Sequence, residues 1–95
     1  MITAVVHVPA ALAQDSGGRR ALEFELRDGA TLSDLLDEVA RQFPALGRRV
    51  RDETGAVRRF VNVYVGDDES RSLDGLATLI ADQQTVVVVG SVAGG

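Results

Sequence analysis

The sequence predicts an α+β fold in which one main helix packs on one face of a single mixed sheet of four to five strands. Three observations carry that expectation: alternating apolar residues near both ends, one long amphipathic segment between them, and four consecutive valines, Val86 to Val89. With 95 residues, the chain has room for one core and one domain.

Ile2, Ala4, Val6 and Val8 alternate with Thr3, Val5 and His7, the period of a strand with one face inward. Pro9 stops it, the turn residues Gln14 to Gly18 follow, and Leu22, Phe24 and Leu26 then alternate with Glu23, Glu25 and Arg27. These two strands are expected to form a hairpin with a loose connection. Asp28-Gly29 turns the chain, and Thr31 with Asp34 three positions on has the form of a capping box. Leu32, Leu35, Leu36, Val39 and Phe43 recur at helical spacing, with Asp37, Glu38, Arg41 and Gln42 on the opposite side. Pro44 ends this helix of about three turns, because the residue before a proline is pushed out of the α region.

From Ala45 to Arg59 the periodicity dissolves, and the segment reads as a long surface connection holding one helical turn. Phe60 to Val65, FVNVYV, alternates strictly, with Val61, Val63 and Val65 expected in the core and Phe60, Asn62 and Tyr64 on the other side. Gly66-Asp67-Asp68 is a turn, Glu69 to Ser72 a short edge strand, and Asp74 to Ile80 a helical turn. Asp82-Gln83-Gln84 then turns into a last strand, Thr85 to Val89, whose valine run predicts a central position covered on both faces, with a parallel neighbour or a sheet covered by a partner. Pairing the first and last strands as parallel neighbours in the middle satisfies both that run and the right-handed crossover rule. The arrangement is a β-grasp, or ubiquitin-like, fold over residues 1–90, with residues 91–95 as a flexible C-terminal tail.

Composition narrows the function. There is no Cys, so disulfides, thiolate metal sites and a cysteine nucleophile are excluded. The formal charge of −4 disfavours nucleic acid, whose binding relies on neutralising phosphates. Nothing at the start has the form of a signal peptide and no apolar stretch is long enough to span a membrane, so a cytoplasmic protein is expected. His7, the sole histidine, lies on the solvent side of its strand without companion ligands, and no metal site is expected. Asp37-Glu38 and Asp67-Asp68-Glu69 read as solvated charge, and no phosphate-binding glycine loop occurs. Arg48, Arg49, Arg51, Arg58 and Arg59 cluster around one loop, as either a solvated surface or a dock for an acidic partner. All ten basic residues are Arg, which reads first as the codon usage of a GC-rich genome.

The chemistry is left to the tail, Ser91, Val92, Ala93, Gly94 and Gly95. Two terminal glycines fall together by chance in roughly 0.5% of chains at ordinary usage. Five extended residues reach about 17 Å, and Gly94 and Gly95, without Cβ, allow the α-carboxylate to be threaded into another protein's active site. A carboxylate is a poor electrophile until activated. Attack on the α-phosphate of ATP, with pyrophosphate leaving, makes a mixed anhydride open to sulfur or nitrogen nucleophiles. A chain without Lys also has no side-chain amines to intercept such a terminus.

The β-grasp order, FVNVYV at Phe60 to Val65, GLATLIAD at Gly75 to Asp82 and VAGG at Val92 to Gly95 together resemble the small sulfur-carrier proteins of the MoaD and ThiS family. The resemblance runs along essentially the whole chain, and within the family it leans towards the actinobacterial carriers of cysteine biosynthesis. It implies that an E1-like adenylating enzyme activates the Gly95 carboxylate and that a sulfur donor converts it to a thiocarboxylate. A partner synthase then accepts the sulfur. In the cysteine pathway that acceptor is an aminoacrylate on pyridoxal phosphate, and a metalloprotease frees the product.

ATP and pyridoxal phosphate would belong to partners, with no cofactor bound by this chain, which would be no enzyme and a monomer when free. The outward side of the sheet is the expected partner face, with Phe60 and Tyr64 as its anchors. One departure is Gly90-Ser91 where relatives often carry proline ahead of the tail. Two other readings stay open: a ubiquitin-like modifier joined through Gly95 to lysines of target proteins, and a β-grasp binding module whose end has no chemistry. The final sulfur acceptor is also open among cysteine, a thiosugar or other secondary metabolite, molybdopterin and thiamine.

Overall fold

The computed structural model describes residues 1–90. The N-terminal alternation forms β1 (Ile2–His7), and the second alternation forms β2 (Ala21–Leu26), paired antiparallel from Ile2 opposite Leu26 to His7 opposite Ala21. Their connection is more ordered than the turn residues suggested, because Ala10–Ser16 winds into a 3-10 helix. Ser16 at its end is buried, and its hydroxyl donates to the Ala13 and Arg19 carbonyls.

The capping box starts α1 (Leu32–Gln42) as predicted. The Asp34 amide donates to the Thr31 hydroxyl at 3.3 Å, and the Thr31 amide donates to the Asp34 carboxylate at 2.9 Å. Leu32, Leu35, Leu36 and Val39 are buried on the face towards the sheet. Pro44 does end this helix, but it also opens α2 (Pro44–Val50), which corrects the expected surface connection. Proline suits a first helical turn, where its missing N–H would have had no partner. Leu46 and Val50 of α2 are fully buried in the main core.

The remaining strands are β3 (Val61–Val65), β4 (Asp68–Glu69) and β5 (Gln84–Gly90). The expected edge strand at 69–72 is two residues long and begins at Asp68, and Ser70–Ser72 forms a 3-10 turn. The helical turn expected over 74–80 is a 3-10 turn at Gly75–Ala77. The five strands make one mixed sheet in the order β2-β1-β5-β3-β4, with β1 and β5 parallel at its centre. Both features agree with the sequence reading.

Coverage of β5 does not. Val86 and Val88 point into the core, whereas Val87 is half-buried and Val89 is 39% exposed on the opposite face. The helices lie on one side of the sheet, so alternation along β5 sends every second valine outward. Among the described residues, no helix is long and apolar enough to cross a membrane.

Candidate functional site

The reactive tail proposed from the sequence, Ser91 to Gly95, lies outside the described residues. β5 stays paired with β3 to its last residue, Gly90 opposite Val61, and Gly90 is exposed. Phe60 immediately precedes Val61, so it stands at the same end of the sheet as Gly90.

Val61, Val63 and Val65 are buried as expected, which puts Tyr64, one of the two expected partner anchors, on the outward side of β3. Tyr64 is half-buried within β3, and Phe60 is 52% exposed. Phe60 sits in the turn ahead of β3, which starts at Val61, so it is not the strand residue that the alternation suggested. The Arg59 guanidinium lies 5.2 Å from its ring centroid, a cation–π contact that holds the ring against the surface.

Strand register builds the rest of this face. His7 pairs with Val87, Val87 with Tyr64, and Tyr64 with Glu69, making one continuous row across four strands. Val89 pairs with Asn62 in the next row, and Val5 with Thr85 on the other side. The centre of the sheet's open face is therefore apolar, from Val5, Val87, Val89 and Tyr64. The exposed Glu23 and Glu25 of β2 lie at one margin and Glu69 of β4 at the other. An apolar centre with a charged rim is the anatomy of a protein-docking surface.

The valine run does not single out Val87 and Val89 for this face, because an unbroken run hides the alternation that sends them outward. One helical layer can cover only one side of a sheet, and that signal was present in the sequence. A shallow groove at the end of β5, lined by His7, Pro9, Arg20 and Val87 to Gly90, was not legible, since it arises where β1 stops and β5 continues. Val8 forms its floor: its amide donates to the Arg20 carbonyl at 2.8 Å, and its carbonyl accepts from Arg20 Nε at 3.2 Å.

His7 is exposed, and no group of three or more His, Cys, Asp or Glu able to hold a metal ion occurs among the described residues. Asp34 and Glu38 have pKa values below the ordinary carboxylate range, Asp34 chiefly through the Thr31 amide and Glu38 chiefly through Arg41. Both belong to the α1 capping and surface network.

Known proteins match this chain along nearly its whole length. The model of the ThiS family matches residues 6–95. The sulfur carrier protein CysO of Mycobacterium tuberculosis is 34% identical over 92 residues, covering 95% of this chain and 96% of that protein. Small archaeal modifier protein 3 of Haloferax volcanii is 33% identical over 78 residues, 82% of this chain and 84% of that one. Among solved structures, a chain of the Amycolatopsis orientalis BexX/CysO complex superposes with a TM-score of 0.84 at 32% identity, covering 97% of this chain and 99% of its own.

Proposed function

The chain belongs to the ThiS family, and from that membership we propose that it is a sulfur carrier whose working group is the Gly95 carboxylate. The observation that carries the reading is that the family match continues through Gly94 and Gly95 to the chain end.

The chemistry runs in two displacements. A carboxylate oxygen of Gly95 attacks the α-phosphorus of ATP and pyrophosphate leaves, giving the acyl adenylate. Sulfide then attacks the acyl carbon and AMP leaves, giving the thiocarboxylate directly, with the proton of the attacking sulfur lost to solvent. ATP is consumed in the adenylating partner, an E1-like enzyme. The chain is a protein co-substrate whose two terminal glycines suit a narrow channel.

The open sheet face is the docking surface for that enzyme, with Phe60 and Tyr64 as anchors and Val87 and Val89 completing the apolar centre. Phe60 adjoins the Val61–Gly90 pair, so a partner gripping the ring also reaches the end of β5. Support for dedicated enzyme partners comes from the Amycolatopsis neighbour, whose structure is of a BexX/CysO complex. A sulfur-accepting synthase would use the same terminus next. The likeness to the sulfur carrier protein CysO supports cysteine biosynthesis as the pathway, in which pyridoxal phosphate would belong to the synthase and a metalloprotease would release the product.

One observation favours a second reading. The Haloferax relative is a modifier protein, and a modifier shares the adenylation step before its terminus passes to lysine amines. Intact-mass measurement after incubation with ATP, an adenylating enzyme of this class and sulfide tests the proposal. Replacement of one oxygen by sulfur at Gly95 is the expected result. Transfer to lysines with no sulfur product would move the assignment to a modifier, and no adenylate with any such enzyme would reject both.

A further inference from the structure

We infer that the arginine-lined depression between α2 and the 3-10 helix at Ala10–Ser16 is a second docking surface, one that takes a carboxylate-rich segment of a protein partner. Arg48, Arg49 and Arg58 line it, with Ala45 and Asp15. Five of the chain's ten arginines fall within residues 48–59 of a protein whose formal charge is −4. Concentrated cationic charge on an acidic chain gives the molecule one face that attracts acidic partners and others that repel them.

The nearby carboxylates Asp15, Asp37, Asp52 and Glu53 offset that charge only in part. Asp52 is committed to its own loop, where it accepts from the Thr54 amide at 2.8 Å and the Ala56 amide at 3.3 Å. Its pKa is lowered chiefly by the Thr54 hydroxyl and amide. Asp37 is engaged by Arg51 at 2.8 Å. Asp15 lies 3.3 Å from Arg49 and offsets that one cation. Arg48 and Arg58 make no salt bridge among the described residues, and the charge of Arg58 is felt by Asp52 only as a minor contribution beside its bonds to Thr54.

Arg58 is also held in place. Its amide donates to the Val50 carbonyl at 2.9 Å, and its Nε donates to the Arg48 carbonyl at 2.6 Å, while its terminal guanidinium nitrogens make no hydrogen bond among the described residues. A guanidinium fixed through Nε loses little freedom on accepting a carboxylate, and its planar fork suits that group. Several arginines side by side favour a segment that presents several carboxylates over a lone anion, because the linked contacts act together. The surface borders the open sheet face through consecutive residues Arg58, Arg59 and Phe60, so one large partner can engage both.

The test needs no adenylating enzyme, so its outcome is separate from that of the sulfur-carrier reading. The full chain, labelled for heteronuclear NMR at low ionic strength, is titrated with hexaglutamate and, separately, with inorganic phosphate. Saturable shifts at the amides of residues 48, 49 and 58 with hexaglutamate, weaker by about tenfold or more in Arg48→Glu, are the expected result. Arg48 makes no side-chain bond among the described residues, so its loss leaves the loop intact, and Arg58→Glu should weaken binding likewise. Arg19→Glu, with the same charge change outside the depression, should alter affinity by no more than about twofold. Equal loss in Arg19→Glu, no saturable shift, or a response to phosphate as strong as that to peptide would each overturn the inference.

Discussion

Gly47 of α2 packs so tightly against Ala40 of α1 that a Cβ at Gly47 would stand 2.6 Å from the Ala40 Cβ and 2.8 Å from its Cα. The second of these is backbone and cannot rotate away, so the two helices can cross this closely only with glycine at 47. Gly47→Ala should destabilise the fold by about 1–3 kcal/mol through overpacking, despite the better helix propensity of alanine. Ala40→Gly in the same chain should restore part of that loss by removing the nearer clash. Urea unfolding of both variants measures the effect, and an unchanged or higher midpoint in Gly47→Ala would show that the helices separate at no cost.

That helix pair marks the limit of what the sequence disclosed. α1 was legible because a capping box, five apolar positions at helical spacing and a terminating proline all agree. α2 was not, since seven residues with only Leu46 and Val50 as large apolar positions give too little periodicity, and Pro44 was read as a stop without its other meaning as a start. The central parallel pair of β1 and β5 followed from chain order and the valine run. The outward Val87 and Val89 were hidden by that same run, which obscures alternation when both faces of a strand carry the same residue.

The α1 cap gives the fold an acid-sensitive element. Asp34 has a folded-state pKa below the value of about 3.9 usual for Asp, so its contribution is present above that pH and is lost as pH falls through the folded-state value. Glu38, lowered by Arg41 and Gln42, acts in the same direction. Stability measured by urea midpoint should therefore fall as pH drops below about 4, and less steeply in Asp34→Asn. At neutral pH, Thr31→Ala should cost about 1 kcal/mol for the lost cap. A parallel pH profile for wild type and Asp34→Asn would exclude the cap as the source.

Arg71 sets the turn that presents Phe60. Its Nη2 donates to the Arg58 carbonyl at 3.1 Å and the Val61 carbonyl at 3.0 Å, while Nη1 donates to Asn62 Oδ1 at 3.0 Å. One guanidinium thus spans both sides of the Phe60 position, and no ammonium can reproduce that planar fork. Arg71→Lys should speed amide hydrogen exchange at Val61 by about tenfold, corresponding to roughly 1.4 kcal/mol of local opening, while global unfolding changes far less. Unaltered exchange at Val61 in Arg71→Lys would mean that the strand end is held by its pairing with Gly90 alone.

Docking and chemistry should separate cleanly between the sheet face and the tail. Phe60 and Tyr64 contact no reacting atom in the proposed reaction, so Phe60→Ala and Tyr64→Ala should raise the KM of an adenylating enzyme for this chain by about tenfold or more, with kcat little changed. Val87→Asp, which places a carboxylate between His7 and Tyr64 in the apolar row, should act in the same way and more strongly, since an unpaired charge is costly to desolvate. Deleting Gly95 should instead abolish adenylation and leave the unfolding midpoint where it was, because the fold of residues 1–90 closes at the pairing of Gly90 with Val61. Steady-state kinetics on the variant set distinguishes these outcomes. A fall in kcat without a change in KM for the Phe60 and Tyr64 variants would place the docking surface elsewhere on the molecule.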